Sequence, residues 1–242
     1  GGKGLLMLLG LVAWRDGQKR ALVACLAREE DDVGVYLPVG EGKTAVAMAV
    51  ALINKNWLRD EKGKVMFIAY LNLSAMEQGQ RAFERAGVSV VGGTKKNIDE
   101  AVVELARHKF VVVMAVIDTL CSSLCWTLVE AWVARGVMKD LWIDEWQEAA
   151  TQYEIRHLAV TKFCDKLRGI EDNVVGGVAR RVAVRILTGT PGPQEMEKWL
   201  LAKLGIDHGT FVRVLPGDEH VASENVRVRV RVRVRVRVRV RV

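Results

Sequence analysis

The sequence predicts an α/β domain in which a mostly parallel sheet carries helices on both faces. Short apolar runs rich in β-branched residues, such as FVVVMAV at 110–116, alternate with segments of helical character, such as KTAVAMAVALIN at 43–54. Strands that are apolar along their whole length are typical of parallel sheets buried on both faces. Such sheets bind ligands beyond the carboxyl ends of their strands, so the loops that follow the strands are the places to examine for function.

The same alternation continues along the chain. Strands are predicted at 33–37, 64–70, 88–91, 110–116, 138–143, 181–187 and 210–215. Helices are predicted at 43–54, 74–86, 97–107, 119–135, 148–167 and 193–204. We expect Ser74 to be the N-cap of the helix at 74–86 and Gly87 to end it. The apolar stretch 4–13 is too short to span a bilayer, and we expect it to be a buried helix.

Length and composition indicate one domain, residues 1–222, followed by a low-complexity tail, residues 223–242. The chain carries a formal charge of +7, but its 36 lysines and arginines include eight arginines in the run 226–242, which leaves 28 basic residues against 29 acidic ones. Overall charge is therefore no argument for nucleic-acid binding by the domain. The four cysteines lack CxxC spacing, so we expect neither zinc nor disulfides, as in an intracellular protein.

The segment PVGEGKT at 38–44 lies between a predicted strand and a predicted helix. Gly40 and Gly42 allow the backbone amides to curl around a phosphate, and the helix N-terminus adds partial positive charge. The Lys43 ammonium can reach the outer phosphates, and the Thr44 hydroxyl can bind magnesium. Leu37 stands where the full phosphate-loop pattern has its first glycine, but GxGKT in this context still indicates a nucleotide site.

Two carboxylates, Asp144 and Glu145, follow a buried strand about 100 residues after that loop. Asp144 suits magnesium coordination, and Glu145 suits orientation of the attacking water, so both join Lys43 as candidate catalytic residues. A pair of acids alone means little, because acidic residues often cap helices. Its position directly after a buried strand is the reason to consider this pair a candidate catalytic site.

Two further segments are weak signals by themselves. LTGTP at 187–191 ends a strand, and its Thr188 and Thr190 could contact both the acidic pair and a bound nucleic acid. Arg15-Asp-Gly-Gln18 precedes the phosphate loop by about 20 residues, and the Gln18 amide could bind the adenine edge through two hydrogen bonds.

These segments, in this order, resemble the motifs of superfamily 2 helicases. Trp14-Arg15-x-x-Gln18 looks like the adenine-reading motif, LPVGEGKT like motif I, IDEW like motif II and LTGTP like motif III. The segment 70–88 is similar to motif Ia of RecQ-type helicases, with Tyr70 in place of the usual proline. AVIDTL at 115–120 looks like the next motif, with Asp118 where glutamate is common. The resemblance covers about residues 14–215.

The resemblance implies the first, RecA-like lobe of a RecQ-type DNA helicase, with ATP and Mg²⁺ as cofactors. It implies 3′-to-5′ unwinding by the intact enzyme, a role in DNA repair or recombination, and a nuclear location. Arg15, Gln18, Gly40, Gly42, Lys43 and Thr44 would bind the nucleotide, with Thr44 and Asp144 on the metal. Asn72, Gln78, Thr119, Thr188 and Thr190 would contact single-stranded or partly duplex DNA or couple it to the ATP site. No membrane association is expected.

Two departures from the family pattern keep a second hypothesis open. Trp146-Gln-Glu follows the acidic pair where RecQ enzymes have Ala-His and an aromatic-rich loop, and Tyr153 is the only other nearby aromatic. The second lobe, which supplies arginines to the transferring phosphoryl group, is not found in this sequence. We expect ATP binding with poor hydrolysis, or else a non-catalytic remnant that binds nucleotide or nucleic acid. A different superfamily 2 translocase is the third alternative, and the segment 71–88 disfavours it.

The terminal run 226–242 alternates Val and Arg without exception. As a strand it would place all valines on one face and all arginines on the other, giving a cationic ribbon or an edge strand. The regularity favours a third interpretation, translated simple-sequence DNA.

Overall fold

The computed structural model describes residues 9, 13–27, 31–57, 64–93, 104, 110–120, 122–145, 162, 182–189, 194–206 and 211–215. Within these residues, a central sheet of seven strands runs through the molecule. The strands are β1 (Val33–Tyr36), β2 (Lys64–Tyr70), β3 (Val90–Gly93), β4 (Phe110–Val116), β5 (Met138–Asp144), β6 (Ala183–Thr188) and β7 (Val212–Val214). They lie in the order β3-β4-β2-β5-β6-β1-β7, and every pairing is parallel.

Helices follow most of the strands and return the chain to the amino end of the sheet. They are α1 (Asp16–Ala27), α2 (Lys43–Trp57), α3 (Leu73–Arg85), α4 (Ile117–Leu120), α5 (Ser123–Ala134) and α6 (Gln194–Lys203). None of the helices in the described part of the chain is both long and apolar enough to cross a membrane.

Alternating residues of each strand belong to two separate apolar cores, one on each face of the sheet. On one face, α1, α2 and α3 cover strand residues that include Val35, Ile68 and Trp142. On the other face, α5 and α6 cover residues that include Phe67 and Leu141. Because both faces of a strand are buried, its sequence has no polar alternation, which is why the apolar runs predict this sheet. The predicted α/β class with helices on both faces is confirmed.

The structure corrects the prediction in several places. The N-cap of α3 is Asn72, whose side chain accepts a hydrogen bond from Ala75 N at 2.8 Å, so the assignment of Ser74 was wrong. Gly87 follows this helix at φ 76°, as expected of a C-terminal glycine. The helix predicted at 119–135 is two helices, α4 and α5, separated at Ser122, which has an extended backbone. The strand predicted at 88–91 lies at Val90–Gly93, and α1 is a helix that the apolar pattern does not indicate.

Several predictions concern residues outside those described. They are the stretch 4–13 apart from Leu9 and Ala13, the helix at 97–107 apart from Glu104, and the helix at 148–167 apart from Lys162. Thr190, Trp146, Tyr153 and the Arg–Val run at 226–242 also lie outside them, as does the boundary between residues 222 and 223.

Candidate nucleotide-binding site

The loop between β1 and α2 has a backbone shape that suits phosphate binding. Gly40 and Gly42 adopt φ values of 83° and 77°, which only glycine takes up readily. Glu41 N donates to Pro38 O at 3.0 Å and closes a tight turn before the helix begins at Lys43. The first turn of α2 contains no acidic residue, so its partial positive charge is available to an anion.

Lys43 is held inside this loop, with only 8 % of its surface exposed. Its Nζ donates to Leu37 O at 3.3 Å and forms an ion pair with Glu145 Oε1 at 3.1 Å. The loop and the acidic pair, predicted from separate motifs, are thus in direct contact. A buried ammonium needs a counter-charge, and Glu145 supplies it here.

The acidic pair ends β5 beside the phosphate loop. Asp144 is the last residue of the strand and pairs with Leu187 of β6. Glu145 follows with φ 48°, the one positive value outside glycine among the described residues. A glutamate rarely adopts this conformation, and such residues are found preferentially where function requires a fixed geometry.

The end of β6 contacts both the acidic pair and the start of the phosphate loop. The Gly189 backbone N–H donates to Glu145 Oε2 at 3.4 Å, and Leu37 N donates to Thr188 O at 3.1 Å. A Cβ atom on Gly189 would lie 3.0 Å from Val39 Cγ2 and 3.1 Å from Lys43 Nζ. A side chain at this position would therefore press on the phosphate loop. Thr188 is fully buried, and Gly189 is a site component that sequence analysis recognised only as part of LTGTP.

Gln18 of α1 and Arg15, which precedes that helix, hold the phosphate loop in place. Gln18, 4 % exposed, accepts from Arg15 N at 3.0 Å and donates from Nε2 to Glu41 O at 2.9 Å. Arg15 forms an ion pair with Glu41 at 2.7 Å and donates to Gly40 O at 3.3 Å. A Cβ on Gly42 would clash with the Gln18 amide. Contact of Gln18 with adenine stays a prediction, and Glu41 is a loop residue that sequence analysis missed.

The predicted nucleic-acid residues lie at the same edge of the sheet, after the neighbouring strands β2 and β4. Asn72 uses its side chain to cap α3, Gln78 is exposed on that helix, and Thr119 is half-buried in α4. Asn72 and Gln78 thus belong to α3, and Thr119 lies in α4. Their role in nucleic-acid binding stays a prediction.

The residues present fit a nucleotide with magnesium. The cradle of Gly40 and Gly42, the helix N-terminus and the Lys43 ammonium match a phosphate chain. A carboxylate at Asp144 and a hydroxyl at Thr44 are oxygen ligands of the kind that Mg²⁺ takes together with phosphate and water. The described residues contain no group of three or more His, Cys, Asp or Glu that could hold a metal by themselves.

Comparison with known proteins agrees with the fold. No protein-family model matches the chain, and no curated protein matches it in sequence. Among solved structures, the helicase domain of Hef from Pyrococcus furiosus is similar, with a TM-score of 0.53 and 20 % identity over 82 % of this chain. The match spans 37 % of that domain's length. The chain therefore has the RecA-like α/β fold of a helicase domain.

Proposed function

We propose that this chain is the ATP-binding lobe of a RecQ-type ATP-dependent DNA helicase, which binds ATP with Mg²⁺ and single-stranded DNA. The contact of Lys43 with Glu145 and of Glu145 with Gly189 carries the proposal. It brings the phosphate loop, the acidic pair and the LTGTP segment together at the carboxyl end of the sheet, where such folds bind nucleotides.

In this proposal Lys43 exchanges one anion for another. With ATP bound, Lys43 leaves the Glu145 carboxylate and binds the outer phosphate oxygens. Glu145 then accepts a hydrogen bond from the attacking water and orients it. The exchange conserves the counter-charge of a buried ammonium, so neither state leaves Lys43 unpaired.

Asp144 and Thr44 would hold the magnesium ion, which neutralises negative charge on the phosphates. Gln18 and Arg15 keep the loop in shape through Glu41 and Gly40. The 2.9 Å hydrogen bond from Gln18 Nε2 to Glu41 O links the residue that we propose for adenine contact to the phosphate loop.

Glu145 also offers a route from the nucleotide to DNA. Its second oxygen accepts from Gly189 N, so movement of Glu145 away from Lys43 changes the support of the segment that contains Thr188 and Thr190. Gln78 and Thr119 follow adjacent strands at the same edge, which suits contact with one sugar–phosphate backbone. The RecQ assignment and 3′-to-5′ polarity are supported by the sequence of segment 70–88.

A non-catalytic binding protein is the second candidate. The residues Trp146-Gln-Glu, in place of the family's Ala-His and aromatic-rich loop, favour it. Hydrolysis by the first lobe alone is expected to be slow, because loss of an arginine finger costs about 10³- to 10⁵-fold in rate.

ATP binding and turnover, each with and without single-stranded DNA, test the proposal. Lys43→Ala is expected to weaken ATP binding about 100-fold, since it removes the charge that meets the phosphates. Lys55→Ala is the matched control, because Lys55 lies in the last turn of the same helix, away from the loop. The control is expected to leave binding unchanged.

Three results separate the candidates. ATP binding that depends on Lys43, together with turnover stimulated by DNA, supports the helicase lobe. Lys43-dependent binding without stimulation favours the non-catalytic protein. Equal ATP binding by Lys43→Ala and the unaltered chain contradicts the helicase lobe and any non-catalytic role in nucleotide binding at this loop.

A further inference from the structure

Tyr70 and Asp144 end adjacent strands at the carboxyl edge of the sheet. Tyr70 is the last residue of β2, and the pairing of Ala69 with Ile143 brings it beside Asp144 of β5. Side chains alternate between faces along a strand. Tyr70 shares the face of Trp142, and Asp144, two residues beyond Trp142, projects to that same face. The phenol and the carboxylate therefore lie on one side of one sheet edge.

A glycine in the covering helix makes room for the phenol. Tyr70 is only 4 % exposed, and a Cβ on Gly79 of α3 would clash with its hydroxyl and lie 2.8 Å from its Cζ. Glycine weakens a helix interior, so a glycine in mid-helix needs a packing reason. Here the missing side chain forms a notch that seats the end of the Tyr70 ring and fixes its hydroxyl at the sheet edge.

The Tyr70 hydroxyl can donate a hydrogen bond to a carboxylate or to a water molecule beside it.

We propose that Tyr70 is a positioning residue of the metal site, whose hydroxyl hydrogen-bonds a water molecule of the magnesium ion held by Asp144 and Thr44. The inference rests on the proposed function. Mg²⁺ keeps several of its waters in proteins, and partners of those waters help to set metal affinity. The RecQ-like motif has proline where Tyr70 stands, so the resemblance does not supply this contact.

A magnesium titration of nucleotide binding tests the proposal. Binding of a fluorescent ADP analogue is measured for Tyr70→Phe, with EDTA and over a range of Mg²⁺ concentrations. The Mg²⁺ concentration for half-maximal effect is expected to rise about tenfold, because loss of an outer-shell partner typically costs 10- to 100-fold in metal affinity. Nucleotide affinity in EDTA is expected to stay the same, a separation that a general loss of structure would not give.

Tyr36→Phe is the matched control. It also removes a tyrosine hydroxyl, but on the other face of the sheet, where Tyr36 donates to Glu197 of α6. It is expected to leave the magnesium midpoint unchanged. Gly79→Ala is a second variant, which retains the hydroxyl but closes its notch, and it is expected to raise the midpoint in the same direction.

The possible outcomes are distinct. A higher midpoint in Tyr70→Phe and Gly79→Ala, with the control unchanged, supports the positioning role. An unchanged midpoint in Tyr70→Phe, or an equal loss of affinity with and without Mg²⁺, overturns it while leaving the nucleotide site in place. Failure of the unaltered chain to bind the analogue overturns the proposed function, and this inference with it.

Discussion

Lys43 and Arg185 are both buried cations, but they lie at opposite ends of the sheet and have different partners. Lys43, at the carboxyl end, pairs with Glu145, whose side chain is 29 % exposed in a loop. Arg185, 0 % exposed, donates to Asp31 O and, at 3.4 Å, to Cys25 O near the amino end. A cation paired with a loop carboxylate can change partners when a ligand enters. A cation bound to backbone carbonyls joins α1, the segment before β1, and β6.

The amino end contains further polar contacts of the same structural kind. Asp32, which is 4 % exposed, accepts from Val184 N at 2.8 Å and so fixes the start of β1 against β6. Such bonds position the strand from which the phosphate loop leaves. The comparison indicates that charge at the amino end maintains the fold, and we propose that charge at the carboxyl end binds the nucleotide.

Replacement of Arg185 is expected to have the largest effect. Arg185→Ala leaves two buried carbonyls without their donor and opens a cavity, which is expected to lower the free energy of unfolding by about 3 to 5 kcal/mol. Urea denaturation measures the change. Arg81→Ala is the control, since Arg81 is exposed and its pair with Glu77 spans 3.9 Å, and it should alter stability by less than about 0.5 kcal/mol. Equal losses of stability in the two variants would mean that Arg185 contributes no more to the fold than an exposed arginine does. That result would contradict the structural role of the amino end.

Gly189→Ala tests the carboxyl end of the sheet, where we place the nucleotide site. The new methyl group would press on Lys43 Nζ and Val39, both within 3.1 Å, and is expected to weaken nucleotide binding about tenfold, or about 1.4 kcal/mol. Gly87→Ala is the counterpart, because Gly87 has φ 76° and open space around it. It is expected to lower stability by about 1 kcal/mol through strain and to leave nucleotide binding unchanged. A loss of nucleotide affinity in Gly87→Ala alone would contradict the assignment.

Asn72 tests whether a residue predicted for DNA contact has only a structural role. Asn72→Ala removes the N-cap of α3 and is expected to cost about 1 kcal/mol of stability. Asn72→Ser keeps the cap and should restore most of it. Titration with single-stranded DNA accompanies the unfolding curves. Loss of DNA affinity in Asn72→Ser, with stability retained, would assign Asn72 to the nucleic-acid surface as well.

Labelling of Cys25 is expected to show the smallest effect, and it tests whether the amino end of the sheet opens locally. Burial raises the pKa of its thiol to about 12, so the thiol stays protonated in the folded chain at neutral pH and reacts slowly with disulfide reagents. Because the pKa in the folded chain exceeds the ordinary thiol pKa of 9.0, this group's contribution to stability is complete below about pH 9 and is lost as pH rises toward 12. Peptide mapping after brief labelling at pH 8 measures its modification. Rapid labelling of Cys25 without unfolding would show that this end opens locally.

Sequence reasoning was accurate where one physical signal dominated. The strands at 64–70 and 110–116 were predicted to the residue, because long, mostly apolar runs between polar segments have clear ends. The cap of α3 was wrongly assigned to Ser74, because Asn72 two residues earlier is an equally good N-cap residue. Helix α1 gave a weak pattern because its charged residues all lie in DGQKR, and the remainder, ALVACLA, is apolar without a helical period.

The internal contacts of the site were beyond the sequence. The motifs indicated each loop, but the ion pair of Lys43 with Glu145 depends on β5, β6 and β1 being neighbours, which is a property of strand order. The positive φ of Glu145 has no local signal, because asparagine or glycine is the usual residue there. The Gly79 notch likewise depends on the tertiary approach of α3 to Tyr70.

The affinity of Glu145→Gln for ATP with Mg²⁺ tests the central claim, that Lys43 exchanges Glu145 for phosphate, most directly. The neutral side chain no longer competes for Lys43, and a pair of this exposure contributes about 1 kcal/mol. Calorimetric titration is therefore expected to show binding about fivefold tighter than in the unaltered chain. Weaker binding by Glu145→Gln would contradict the account, because it would mean that Glu145 supports the phosphate site and does not occupy its lysine.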